Sequence, residues 1–173
     1  AQWNMRQIRA DVAWTAEKVG SPATKVGILD TRVGYTHIHL QGRVDLVSSA
    51  SFLSAAENQR VQDAFPGAHP VADLHYHGTH GGATVGGNAV LAAGVSSGTQ
   101  LVGLKVCAPG TPHVNPDSAW VASCPISATL GAVLYAADIG LPVINMSLGG
   151  LTLQRFMSSR GGFGASFGAI INS

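Results

Sequence analysis

Charged residues are scarce in this sequence, and neither sign forms a run. Asp, Glu, Lys and Arg together make up 11% of the 173 residues, hydrophobic residues make up 46%, and the formal net charge is +1 at pH 7. Disordered chains combine low hydrophobicity with high charge, so this composition predicts a folded protein. Because there is no basic run, we expect neither a nucleic-acid partner nor a membrane surface as a partner.

Long apolar runs are also lacking. Gly, Pro, Thr or Asp interrupts every apolar segment before it reaches the roughly 20 residues that span a bilayer. The first residues are polar and do not resemble a signal peptide. A length of 173 residues is enough for one core, so we expect one domain.

Cysteine is rare as well, and Cys107 and Cys124 allow either one disulfide or two buried thiols.

What the sequence does contain is an alternation of short apolar runs and helix-like segments. Apolar runs of this kind are typical of strands that a parallel sheet buries on both faces. The alternation predicts an α/β fold with three α/β/α layers and a mainly parallel sheet. The predicted strands cover residues 25–30, 100–106 and 142–148, with short strands near 43–53, and the predicted helices cover 4–19, 54–63, 77–87 and 126–139.

Two polar features lie within this arrangement, an aspartate at a strand end and a group of three histidines. Asp30 ends the first predicted strand, at the edge of the sheet where ligands bind in such folds, although an isolated Asp there is often a turn or cap residue. His75, His77 and His80 lie in a Gly-rich segment that indicates a closely packed helix. The histidines could include a general base oriented by Asp30, could bind a metal ion, or could be structural.

The third feature is the end of the last predicted strand, where Ser147, Leu148 and Gly149 follow an apolar run. Glycine at a strand end allows another chain to come close. An extended peptide could therefore add to the sheet there through main-chain hydrogen bonds.

These features, in this order, resemble the subtilisin family of serine peptidases. Residues 26–31 resemble the motif of its catalytic Asp, and His77-Gly78-Thr79-His80 resembles the motif of its catalytic His. Residues 100–106 are similar to the strand between the later motifs, and residues 143–150 are similar to the family's substrate-binding strand. The resemblance covers about residues 1–150.

The resemblance implies an endopeptidase that works through an acyl-enzyme and requires no cofactor. In that scheme Asp30 orients His77, which is the general base and acid, and Ser147, Leu148 and Gly149 bind a polypeptide substrate. It also implies secretion and an inhibitory propeptide as a partner. Secretion would permit a disulfide between Cys107 and Cys124, which bracket a long Pro- and Gly-rich loop, so we predict that bond.

The sequence also departs from the family pattern. Arg32 stands where the family usually has Gly, which we expect to place a long cation beside the site. His39 lies in a run where many members have an Asp that helps to bind calcium, and imidazole is a poor ligand for that hard cation. Gln2 matches a calcium ligand of some members, so a structural calcium ion remains open.

The family's catalytic serine lies on a later helix, in a Gly-Thr-Ser-Met-Ala type of motif that this sequence does not contain. We therefore expect residues 1–173 to be the N-terminal portion of one incomplete domain, inactive alone, with the serine on a C-terminal segment or complementary fragment. Ser166 lies in a Gly-x-Ser-x-Gly pattern that we interpret as a surface turn. Asn172 is the predicted oxyanion donor.

Two other functions stay open. One is a truncated, inactive relative that binds peptides without cutting them. The other is a metal-binding protein built on the histidine cluster.

Overall fold

A computed structural model describes residues 2–72, 75–109 and 122–149. None of the helices in these ranges is long and apolar enough to cross a membrane. The elements, in chain order, are α1 (Trp3–Gln7), α2 (Ala10–Thr15), β1 (Lys25–Asp30), β2 (Ala50–Ser51), α3 (Ala55–Ala64), α4 (Tyr76–Gly86), β3 (Gln100–Lys105), β4 (Ala108–Pro109), β5 (Ala122–Ser123), α5 (Ile126–Asp138) and β6 (Val143–Asn145).

The described residues form a four-stranded sheet in the order β2-β3-β1-β6, and all three strand pairs are parallel. β1 pairs with β3 over its whole length, from Lys25 opposite Gln100 to Asp30 opposite Lys105. The predicted parallel sheet is therefore confirmed. A central position for β1 explains its almost wholly apolar sequence, because both of its faces are covered.

Helices cover the two faces of the sheet, which gives the predicted three layers. On one face α5 packs on buried residues of β1 and β3, and on the other face α4 does so. The first cluster includes Leu29, Val102, Leu104, Ala128, Ala132 and Ala136, and the second includes Val26, Ile28, Leu101, Ala83 and Val85. Side chains alternate between the faces along each strand, so consecutive apolar residues feed both clusters.

α5 packs through its smallest side chains. Ala128, Ala132 and Ala136, one turn apart, form its buried stripe. The larger Leu134 of the same helix is 58% exposed. Alanine lets a helix lie close to the sheet, and this close packing selects the face that is buried.

The predicted N-terminal helix over residues 4–19 is wrong as a single element. The chain forms α1 and α2 instead, separated by Arg9 in the left-handed conformation with φ of 59°. Gln2 occupies the N-cap position of α1 without a side-chain capping bond. The last predicted strand is also shorter than expected, because β6 spans only Val143–Asn145.

The predicted disulfide is confirmed. Cys107 and Cys124 are bonded, with their Cα atoms 4.1 Å apart. They flank the antiparallel pair of β4 and β5, in which Ala108 lies opposite Ser123. The bond therefore joins the two ends of a loop whose residues 110–121 lie outside the described ranges.

An ion pair fixes the start of β1. Lys25 Nζ lies 2.6 Å from Asp45 Oδ2, and the Ser48 hydroxyl donates to the same oxygen at 2.7 Å. The hydrogen bond from Lys25, followed by that from Ser48, lowers the pKa of Asp45 from 3.8 to about 2. The Asp45 side chain is only 14% exposed, so the pair is more shielded than an open surface pair.

The lowered pKa of Asp45 predicts a pH-dependent contribution to stability. A carboxyl group whose folded-state pKa is depressed stabilises the fold above its unfolded pKa, and this contribution is lost as the pH falls toward 2. We expect Asp45→Asn to lower the urea midpoint at pH 5 and to match the unsubstituted protein near pH 2. Asp138→Asn, at an exposed position, is the control. An equal deficit at both pH values would contradict the prediction.

The disulfide predicts a second effect on stability. A bond across a sequence separation of 17 residues restricts the unfolded chain, which corresponds to roughly 3 kcal/mol in the chain-entropy treatment. We expect the double variant Cys107→Ala with Cys124→Ala to lose about this amount in the free energy of unfolding, measured by denaturant titration. Reduced unsubstituted protein controls for the changed side chains, and an unchanged midpoint after reduction would contradict the prediction.

Candidate active site

The carboxyl end of β1 brings together the two residues that the sequence singled out. The Asp30 carboxylate is fully buried, and its Oδ1 and Oδ2 lie 2.8 and 3.0 Å from Nδ1 of His77. His77 belongs to the first turn of α4, and its side chain is 44% exposed. An ionised carboxylate only accepts hydrogen bonds, so in the neutral imidazole this contact favours the tautomer with the proton on Nδ1 and a lone pair on Nε2.

Thr31 makes one hydrogen bond to Asp30 and another to the backbone beside His77. Its backbone N–H donates to Asp30 Oδ1 at 2.6 Å, which orients the carboxylate. Its hydroxyl oxygen accepts the backbone N–H of Gly78 at 3.1 Å, and Gly78 directly follows His77. Thr31 is buried, so bulk water does not compete for either hydrogen bond. One residue thus connects the strand end that carries the carboxylate to the helix that carries the imidazole.

His75 caps α4. Its Nδ1 accepts the backbone N–H of His77 at 3.2 Å, and its ring stacks on Tyr76 with centroids 4.8 Å apart. The first N–H groups of a helix have no partner within the helix, so this bond and the one from Thr31 satisfy two of them. The sequence indicated neither role. A hydroxyl residue directly after the strand-end Asp was the available signal for Thr31.

The alternative of a histidine metal site gains no support from this geometry. Nδ1 of His75 already accepts the backbone N–H of His77. Nδ1 of His77 is bonded to Asp30. Across the described part of the chain, no group of three or more His, Cys, Asp or Glu side chains is placed to hold a metal ion.

α4 comes so close to the segment after β1 that Gly78 has no room for a side chain. A Cβ atom there would overlap the backbone carbonyl of Arg32. Arg32 itself has a φ of 156°, within the region that favours glycine, which fits the glycine usual at this position. Its guanidinium is buried and donates from Nη1 to the Ala72 carbonyl at 2.9 Å. The cation therefore lies inside the fold, where it joins β1 to the segment before α4.

The predicted substrate-binding residues follow β6 at the same edge of the sheet. β6 is parallel to β1, with Asn145 opposite Ile28. Ser147 and Asp30 each lie two residues beyond that pair. Ser147 and Gly149 are exposed, and Leu148 is partly buried against the cluster under α5. Predicted residues Asn172 and Ser166 lie outside the described residues.

The close approach at Gly78 predicts a sharp difference between two glycines of α4. Gly78→Ala forces the Arg32 backbone and α4 apart, and we expect a loss of about 1–3 kcal/mol in the free energy of unfolding. Gly81→Ala is the matched control, because the nearest atom to its Cβ would be Asp30 Oδ2 at 3.8 Å and Ala favours a helix. Denaturant titration of both variants checks this, and equal losses would contradict it.

This chain is similar to known proteins over most of its length. Residues 21–170 match the Subtilase family. The thermophilic serine proteinase of Bacillus sp. (strain AK1) is 30% identical over 151 residues, which are 86% of this chain and 31% of that protein. Halolysin of Haloferax mediterranei is 28% identical over 152 residues, which are 86% of this chain and 25% of that protein. The chain thus spans about a quarter to a third of the length of these relatives.

The family match contains the Asp30–His77 pair, the helix that carries His77, and the segment after β6. Sequence motifs, fold and comparison agree, and the chain belongs to the Subtilase family.

Proposed function

We propose that this chain carries the general base and the orienting carboxylate of a serine endopeptidase, which cleaves polypeptides through an acyl-enzyme. The observation that carries the proposal is the bond between the buried Asp30 carboxylate and Nδ1 of the half-exposed His77. Membership of the Subtilase family supports it, and so does a relative named as a serine proteinase.

In the proposed reaction, Nε2 of His77 takes the proton of the attacking serine hydroxyl and later gives it to the leaving amine. Asp30 holds the ring in the required tautomer and stabilises the imidazolium that forms. The burial of Asp30 favours this role, because a shielded carboxylate interacts with a cation more strongly than one in water does.

The nucleophile belongs to the proposal as well. We place it outside residues 1–173, on a C-terminal segment or complementary fragment, and we assign Ser166 no part in the reaction. Asn172 is the proposed donor to the oxyanion. The part that this chain supplies would then be the proton-transfer machinery and one wall of the substrate cleft.

For the substrate, we propose an extended polypeptide that lies along Ser147, Leu148 and Gly149. A Cβ atom built on Gly149 would meet no atom of the described residues within 4 Å, so those residues leave this backbone open. Two of the three residues are exposed, as a peptide-binding strand end requires. The disulfide between Cys107 and Cys124 supports secretion, because such bonds persist in oxidising compartments. An inhibitory propeptide is a further proposed partner.

The proposed function predicts how a serine-directed probe reacts. We expect a fluorophosphonate to label the full-length protein at a serine outside residues 1–173, and we expect no labelling of residues 1–173 alone. Asp30→Asn removes the orienting carboxylate, and triad peptidases lose on the order of 10⁴-fold in kcat after such a change. The measurement is the labelling rate together with peptide turnover.

Asp138→Asn, at an exposed position on α5, is the matched control and is expected to keep both rates. Labelling at Ser166 would contradict the assignment of the nucleophile. A full-length protein that binds peptides but neither reacts with the probe nor cleaves them would instead be an inactive relative.

A further inference from the structure

We propose that a direct amide clip holds the N-terminal segment of this protein in place of a structural calcium ion. The clip is the side chain of Gln2 bound to the backbone of Ala93. It follows that no calcium ion is held at the position of Gln2, in contrast to the family members whose calcium site involves that position.

Both ends of the Gln2 amide are engaged by one residue far along the chain. Oε1 accepts the backbone N–H of Ala93 at 2.9 Å, and Nε2 donates to the backbone carbonyl of Ala93 at 2.8 Å. The two residues are 91 positions apart in sequence. The positive end of an N–H dipole thus faces Oε1, the oxygen that a cation would need.

The described surroundings of the clip offer calcium no carboxylate ligand. A cavity of about 930 Å³ lies beside Gln2 and Ala93, and its described lining includes His37, His39 and His80 but no Asp or Glu. Calcium takes six to eight oxygen ligands, usually with carboxylates among them, whereas imidazole suits other metals. His39 stands where the family's calcium-binding Asp is expected, and its ring stacks on His37 with centroids 5.4 Å apart.

Backbone oxygens near this position also have partners. Asn88 donates from Nδ2 to the Ile38 carbonyl at 2.7 Å and from its backbone N–H to the His39 carbonyl at 2.9 Å. Trp14 Nε1 donates to the Val95 carbonyl at 2.9 Å. Direct hydrogen bonds at Asn88, Ala93 and Val95 therefore hold this segment in place. A bridging cation would have the same effect.

The test compares thermal unfolding of the full-length protein and of its Gln2→Ala variant in excess calcium chloride and in excess EGTA, so that calcium bound elsewhere affects both proteins equally. We expect the difference in Tm between the two proteins to be the same in both solutions. A calcium ion held through Gln2 at a hundred times its Kd would add roughly 5–11 °C to that difference in calcium for a domain of this size. An increase of that order would overturn the proposal.

The clip itself is tested with Gln2→Ala. Loss of two hydrogen bonds is expected to lower the Tm by roughly 4–8 °C, equally with and without calcium. Gln7→Ala, at an exposed position of α1, is the matched control and is expected to leave the Tm unchanged. An unchanged Tm for Gln2→Ala, or recovery of its Tm in calcium, would overturn the proposal.

Hydrogen exchange at the Ala93 amide gives a local readout that needs neither peptidase activity nor the proposed function. We expect protection of this amide in EGTA, its loss in Gln2→Ala and its retention in Gln7→Ala. Rapid exchange at Ala93 in the unsubstituted protein would overturn the clip even if the Asp30–His77 proposal holds.

Discussion

The arrangement at the edge of the sheet depends on how closely α4 approaches the end of β1. Gly78 makes this approach possible, because any side chain there would overlap the Arg32 carbonyl. Once the two backbones are in contact, the Gly78 N–H reaches the Thr31 hydroxyl, and the imidazole of the preceding His77 reaches Asp30. The hydrogen-bonded pair is thus a consequence of backbone packing, and the Asp30 and His77 side chains do not have to draw the elements together.

In both helical layers, small side chains make the contact with the sheet. α5 lies on the sheet through alanine, and α4 places Gly82 and Gly86 against Leu101. Small residues add little hydrophobic area themselves, but they allow dense contact between backbone and large strand residues. This explains why a chain so rich in glycine forms a compact sheet with helices on both faces.

Contacts between residues that are far apart in sequence hold the segments around this core in place. The disulfide joins the ends of the loop after β3, and Gln2 joins the N-terminus to the segment before β3. Buried polar groups take part in the same way. Arg32 donates to the Ala72 carbonyl, and Lys105 donates to Asn58 Oδ1 at 3.1 Å, so these buried side chains connect the segment after β1 to the segment before α4, and the end of β3 to α3.

The sequence alone determined the elements whose signal is local. The apolar runs of β1 and β3 and the residues of α4 and α5 were predictable, because burial on two faces and helix termination depend on neighbouring residues. The resemblance of the motifs to the subtilisin family paired Asp30 with His77, and the same resemblance, together with the loop that the two cysteines bracket, suggested the disulfide. Tertiary structure decided the rest. The buried face of α5 and the bond between Gln2 and Ala93 depend on contacts between residues distant in sequence, and no local periodicity encodes such contacts.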